Sequence, residues 1–311
     1  MQKSAIINND TDAYTRKNKI KRAIFIIAMI IVPMANFLVF YLYVNANSIL
    51  MAFQKSTLKG DKKFTLEWFE LIIEGLFVRK DMLLYLKNTM YYFLTSLLVI
   101  LPFTTFIAYF IYKKIFMYKF FRIMFFLPSI YSAVVLTTIF KQFLGLEGPI
   151  ATNYAQIFNL AAIPEFFNDP KYATGAILVY CIWTGFGTNL ILMVGAMARI
   201  PEDILEAGQL DGVSWGRELS SIILPLIWPT FTTLIVLTFV GIFTASGPIL
   251  LFTKGQYDTT TISYFIFSQT YFGNGSKEYA AAVGLFFTVL AVPIILGVKK
   301  LMERWQDAIE Y

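Results

Sequence analysis

The chain has 311 residues, 57% of them hydrophobic and 17% aromatic, with only 15% charged and a formal net charge of +6. That composition is too apolar for a soluble domain of this length and points to a membrane protein. One cysteine, Cys181, and no histidine exclude an internal disulfide, cysteine- or histidine-based metal sites and histidine-dependent hydrolase triads.

A basic tail, residues 1–22, carries Lys3, Arg16, Lys17, Lys19, Lys21 and Arg22. It leads into an apolar run near 23–44, the first of about six that approach the ~20 residues a spanning helix requires. Val44 and Ala46 resemble a small-x-small cleavage site, but the run before them exceeds the ~7–15 apolar residues of a signal peptide, so it is expected to remain as a span.

A loop over 45–87 follows, with seven bases and five acids. Within it, "FTLEWFELIIEGLF" (64–77) sets Trp68, Phe69, Ile72, Ile73 and Leu76 on one helical face and Glu67, Glu70 and Glu74 on another. This pattern suits a helix lying on the bilayer surface or over a pore mouth. A helix that merely orders a long loop is the alternative.

The remaining spans are expected near 88–112, 123–142, 173–198, 226–252 and 279–298. Lys113, Lys114, Lys119 and Arg122 follow the second, and Lys299, Lys300 and Arg304 lie in the carboxyl tail, 299–311. Basic residues resist translocation, so these clusters and the amino-terminal tail place both termini in the cytoplasm. The seven bases of 45–87, which then lies outside, disagree with that assignment. Two further outer loops, 143–172 and 253–278, hold the turn-forming runs "GLEGP", "NDP" and "FGNGS". The expected fold is therefore all-α, a polytopic membrane domain over 23–298 between two cytoplasmic tails.

The spans contain no Asp, Glu or Arg, and only Lys141, near a span end, is charged. Proton- and ion-driven carriers commonly keep intramembrane ionisable groups, so energy is expected to come from elsewhere. A carrier that coordinates sodium through backbone carbonyls at broken helices is an alternative. A polytopic enzyme would need catalytic groups clustered at one interface, and neither histidine nor paired carboxylates stand beside a span. Prolines 33, 102, 128, 225, 229, 248 and 293 can each kink or end a helix.

The loop 199–225 breaks the basic pattern. Glu202, Asp203, Glu206, Asp211 and Glu218 outnumber Arg199 and Arg217, the reverse of a loop built for anionic lipid. Pro201 suits a first helical position, and Glu202 and Asp203 suit the positive end of its dipole. A helix is expected over about 202–210, ended by Gly212 in a left-handed conformation. A second short helix would run through Ile222 to Leu224, with Pro225 opening the fifth span. Ile204, Leu205, Ala207 and Leu210 could enter a groove on a protein partner while Glu206 meets a basic group. A solvated hairpin is the alternative.

This loop resembles the signature of binding-protein-dependent ABC importer permeases: Glu-Ala-Ala, three residues, Gly, nine residues, then Ile-x-Leu-Pro. Glu206, Ala207, Gly212, Ile222, Leu224 and Pro225 match, and Asp211 precedes the glycine. Gly208 replaces the second alanine, which lowers helix propensity by up to ~1 kcal/mol but keeps a small residue where close approach to a partner is possible. "LKNTMYYF", "FFRIMFFLPS", "ARIPEDILEAGQLDG" and "SGPILLFT" are similar to the carbohydrate-uptake branch, over most of the chain from Leu86 onward.

The resemblance implies that the loop is a coupling helix seated on a cytoplasmic ATPase, with Glu206, Ala207, Gly208, Asp211, Gly212, Leu224 and Pro225 as its site residues. It implies two ATPase subunits holding ATP and Mg, a second permease subunit (a heterodimer, or else an identical copy) and an extracytoplasmic solute-binding protein. A sugar or oligosaccharide would be the substrate, with another small solute as the alternative. The setting would be a bacterial plasma membrane, with lipid as surroundings and no nucleic acid partner. The chain lacks a Gly-x4-Gly-Lys-Ser/Thr phosphate loop, so it is not expected to be an enzyme or to hold a cofactor itself. The family's cavity among the later spans makes Tyr180, Trp183, Thr184, Thr188 and Asn189 candidates for the sugar, since aromatic faces stack on sugar rings and hydroxyl or amide groups bond sugar hydroxyls. Tyr180, Trp183 and Gly187 share a helical face, and plain helix packing is the alternative reading.

Overall fold

The structure, a computed structural model, describes residues 2–56, 62–159, 162–244, 246–272 and 275–309, with side chains from 19 to 305 inside those bounds. Lys3, Arg16 and Lys17 lie outside the described side chains, and the centre of "FGNGS" lies outside the described residues. Two compact units divide the chain, 1–65 and 66–311.

In the first unit, α1 (Gln2–Asn36) continues through a π-helical stretch, Phe37–Tyr43, into α2 (Val44–Met51). The apolar part runs Lys19–Met51, so the first span extends past the expected end at 44. Its side chains are exposed around the whole circumference, a surface suited to lipid rather than water. A hairpin that the sequence reading did not foresee follows: β1 (Gln54–Ser56) pairs antiparallel with β2 (Lys62–Phe64), and Phe53 stacks on Phe64.

The second unit starts with α3 (Glu67–Phe77), three residues later than expected. Trp68, Phe69 and Leu76 are half-buried and Ile72 fully buried, whereas Ile73, assigned to the same face, is exposed. Trp68 packs on Tyr279, which sets α3 against the last long helix. The chain then enters α4 (Asp81–Thr95), a π-helical turn at Ser96–Ile100, and α5 (Leu101–Tyr112), together the second span. Pro102 lacks the amide that would donate to the Leu98 carbonyl, and the helix widens around that residue.

The third span is not one rod. α6 (Tyr118–Ile130) ends two residues after Pro128, Tyr131 and Ser132 turn extended, and α7 (Ala133–Leu144) leaves at a bend of 107°. Hydropathy over 123–142 cannot register such a break, because both arms are equally apolar. α8 (Pro149–Ile157) follows, then α9 (Pro170–Thr184) and α10 (Phe186–Met197), which form the fourth span and meet at Gly185. A Cβ at Gly185 would lie 2.7 Å from the Cys181 carbonyl oxygen of the preceding turn and 2.8 Å from Ile100 Cδ1 of the second span, so a side chain here would crowd both.

After α11 (Glu202–Leu210), α12 (Trp215–Arg217), a π-helical stretch at Glu218–Ile223 and α13 (Leu224–Leu226), the chain bends by 80° into α14 (Trp228–Val240). Pro225 therefore lies just before the bend rather than opening the fifth span. That span is also shorter than expected: α14 gives way to a 3-10 turn, and α15 (Gly247–Phe252) is a separate helix with Pro248 in its first turn. α16 (Ile262–Tyr271) and the long α17 (Lys277–Ile309) complete the chain. Among the described residues four helices are long and apolar enough to cross a membrane, or six if each bent pair counts as one span.

Two apolar clusters organise the second unit. One joins α5, α10 and the 199–225 segment through Leu101, Ala108, Leu190, Met193, Met197, Leu205, Ile223 and Ile227. The other is aromatic and joins α7, α9 and α15 through Phe140, Tyr180 and Phe252.

Candidate functional site

The segment 199–225 is built around a well-defined helix end. Pro201 is extended and occupies the cap position of α11, one residue before its expected place, and Glu202 and Asp203 fill the first turn. At the other end Gly212 takes φ +68°, its amide donates to Gln209 O at 3.0 Å, and the Val213 amide donates to Gly208 O at 3.1 Å. Those two bonds are the reciprocal pair of a Schellman cap, which satisfies the last carbonyls and turns the chain back.

α11 has two faces. Leu205 and Gly208 are buried, whereas Glu206, Ala207 and Asp211 are exposed, with Ile204 39% and Leu210 89% exposed. Leu205, expected in a partner's groove, instead enters the chain's own core. Gly208 likewise faces inward: a Cβ there would meet Ile222 Cδ1 at 3.0 Å. Its smallness serves contact within the chain. What remains outward is an acidic and apolar strip of Asp203, Ile204, Glu206, Ala207 and Leu210. Leu224 and Pro225, half-buried, stand behind it beside Ile223, which is fully buried.

The sequence reading missed the anchor beneath this strip. Glu218, one of the five acids in the loop's charge balance, is the only charged side chain among the described residues that is buried. Lys113 Nζ donates to its Oε1 at 2.9 Å, and the Tyr109 hydroxyl donates to Oε2 at 3.4 Å. Trp215 packs against Phe106 and Phe110 of the same helix, with ring centroids 6.1 and 6.0 Å apart. Phe106, Tyr109, Phe110 and Lys113 recur at helical spacing, a stripe ending in a base that a sequence reading could have matched to Glu218.

The substrate candidates differ in exposure along the fourth span. Tyr180 is 4% exposed and packs on Phe140 and Phe252, with Trp183 as a partly exposed outer member. Thr184 donates back to Tyr180 O at 3.0 Å, an intrahelical bond. Thr188, exposed, and Asn189, half-buried, stand on α10 beyond the Gly185 break. Gly187 is a packing position, since a Cβ would lie 2.5 Å from Ser129. Among the described residues no group of three or more His, Cys, Asp or Glu could hold a metal.

The profile described as binding-protein-dependent transport system inner membrane component matches residues 100–307. The chain belongs to this family. The permease is 27% identical over 216 residues to the lactose transport system permease protein LacF of Rhizobium radiobacter, covering 68% of this chain and 72% of that protein. It is 23% identical over 270 residues to the arabinooligosaccharides transport system permease protein AraP of Bacillus subtilis (strain 168), covering 84% and 83%. Against the maltose/maltodextrin permease MalF of Vibrio vulnificus (strain YJ016) the identity is 25% over 194 residues, and the match spans only 36% of that longer protein. Among solved structures, a chain of a bacterial ABC transporter involved in the import of the acidic polysaccharide alginate has a similar fold, with a TM-score of 0.78 at 23% identity over 92% of this chain and 98% of that one. The permease is thus a multi-pass membrane subunit of an importer, and its family works with ATP-driven partners.

Proposed function

We propose that this permease carries a sugar or oligosaccharide across a bacterial plasma membrane, both termini in the cytoplasm, with ATP and Mg bound and hydrolysed by separate ATPase subunits. A second permease subunit of different sequence would complete the pathway, and an extracytoplasmic solute-binding protein would deliver the substrate. The carbohydrate assignment rests on the substrates named for LacF, AraP and MalF.

The observation that carries the coupling role is the outward strip of α11. It is acidic and apolar, held rigid by the Schellman cap at Gly212 and backed by Leu205 in the core. A strip of that composition fits an apolar groove edged with bases on an ATPase. Closure of the ATPases on nucleotide would push the strip and shift the spans between inward- and outward-open states. Glu206, Ala207 and Asp211 would touch the partner, whereas Gly208, Gly212, Leu224 and Pro225 would hold the shape of the helix and its base. For the substrate, Trp183 with Thr184, Thr188 and Asn189 would supply an aromatic face and polar groups, Tyr180 supporting Trp183 from behind.

Glu206→Lys is the direct test, because it places like charge against the proposed basic edge. The variant is expected to reach the membrane in ordinary amount and to lose the ATPase subunits that copurify with the tagged parent. Retention of those subunits at the parental level would overturn the docking role. Stimulation of ATP hydrolysis by a panel of oligosaccharides, with the binding protein present, tests the substrate class.

A further inference from the structure

A buried carboxylate is an expensive way to fasten a loop. Removing a charge from water costs several kcal/mol, and a well-packed apolar side chain would hold the same place as well or better. Glu218 nevertheless sits 6% exposed between Lys113 and Tyr109, at the first residue of the π-helical stretch that leads to Pro225. What an ion pair offers and an apolar contact lacks is register: Glu218 cannot slide along α5 without separating two charges in a poorly solvated place.

The neighbouring contacts share that geometry. Trp215 and Glu218, three residues apart, meet Phe106, Tyr109, Phe110 and Lys113, which form one stripe along α5. The front half of the segment is tied to the rear half, because Gly208 abuts Ile222 and Leu205 shares a core with Ile223. A push on α11 therefore reaches the 215–223 stretch, and that stretch is locked to the second span at two points.

We propose that Glu218, with Lys113 and Tyr109, is a positioning contact that makes the second span follow the 199–225 segment, so that ATPase closure is transmitted through α5. This rests on the docking role of α11 proposed above. Without the ion pair the segment still docks its ATPase, but its displacement is spent in sliding over the aromatic part of the stripe.

The test uses the complex isolated through a tag on the full chain. Cys181 is replaced by Ser, and spin labels are placed at Leu98, 64% exposed beside α5, and Tyr271, 73% exposed at the end of α16. Their separation is read by pulsed electron paramagnetic resonance with and without MgATP and orthovanadate. The parent is expected to shift its distance on trapping. Glu218→Gln and Lys113→Met are expected to retain copurifying ATPase while the shifted population falls on the order of tenfold, within the usual range of coupling between sites. The exchange Lys113→Glu with Glu218→Lys is expected to restore the shift, which a merely structural role for the two side chains does not require.

A normal shift in Glu218→Gln overturns the inference, as does an exchange variant that binds ATPase and stays silent. A parent that binds ATPase and shows no shift also overturns it, because the second span then does not follow the segment. Loss of copurifying ATPase from the parent itself would instead sink the docking role. If Glu218→Gln fails to accumulate, Lys113→Met, which removes the more exposed partner, decides the matter.

Discussion

Gly208 lies directly against Ile222, so close that a methyl group added to the glycine would sit 3.0 Å from Ile222 Cδ1. This relationship explains why a residue unfavourable in helices stands in the middle of α11. Two effects oppose each other on replacement by alanine: helix propensity improves by up to ~1 kcal/mol, and Ile222 must move by a few tenths of an ångström. Gly208→Ala is therefore expected to shift stability by less than about 1 kcal/mol in either direction. Gly208→Leu overfills the contact and is expected to cost about 1–3 kcal/mol. Thermal unfolding of the tagged permease in detergent checks both, and equal melting of the two variants would show that the face is not packed as described.

Asn88 makes a second long-range connection, donating through its amide nitrogen to Asp258 O at 2.6 Å and Thr260 O at 2.9 Å while 3% exposed. Next to it, Thr89 Oγ1 accepts from the Ile262 amide at 3.1 Å. Together they hold a tight turn in which Lys254, Gly255, Tyr257 and Asp258 all have positive φ. Asn88→Ala removes both donors to two carbonyls and is expected to cost about 1–3 kcal/mol. Asn88→Asp is expected to be worse, because an ionised carboxylate would face two acceptors. Hydrogen exchange or limited proteolysis across 253–262 should report the loosening before the rest of the molecule unfolds, and unchanged protection in both variants would refute the clamp.

The class of fold, the apolar spans and the helix over 202–210 were legible because each rests on a local signal: run length, Pro and acids at a helix start, Gly at its end. The bends at Tyr131–Ser132 and Ile227 were not, since hydropathy is blind to direction. Pro128 and Pro225 marked the neighbourhoods without saying that the chain would turn by 107° and 80°. The faces of α11 were half legible. Composition correctly singled out Ile204 and Leu210 as apolar, but only the contact with the 215–227 stretch decides that Leu205 and Gly208 point inward. Glu218 was the clearest miss, because its partner lies 105 positions away and an acid in a polar loop reads as solvated. The burial of Tyr180 was not legible either, because its ring contacts, Phe140 and Phe252, come from two distant helices.

Tyr180 and Trp183 therefore call for opposite expectations, although one helical face carries both. The Tyr180 ring lies 4.9 Å from Phe252 and 5.4 Å from Phe140 and is nearly inaccessible, so Tyr180→Ala opens a hole in the aromatic cluster. It is expected to cost about 3–5 kcal/mol, comparable to other large aromatic truncations. Trp183 is 39% exposed, stacking on Phe140 and meeting Tyr180 edge-on while part of its surface stays open. Trp183→Ala is expected to melt much closer to the parent and, if the indole contributes to sugar binding, to raise the oligosaccharide concentration needed for half-maximal stimulation of ATP hydrolysis. Measuring melting and stimulation on both variants separates packing from recognition. A Trp183→Ala protein with unaltered concentration dependence would remove this tryptophan from the binding surface, and one that melts as early as Tyr180→Ala would assign it wholly to the core.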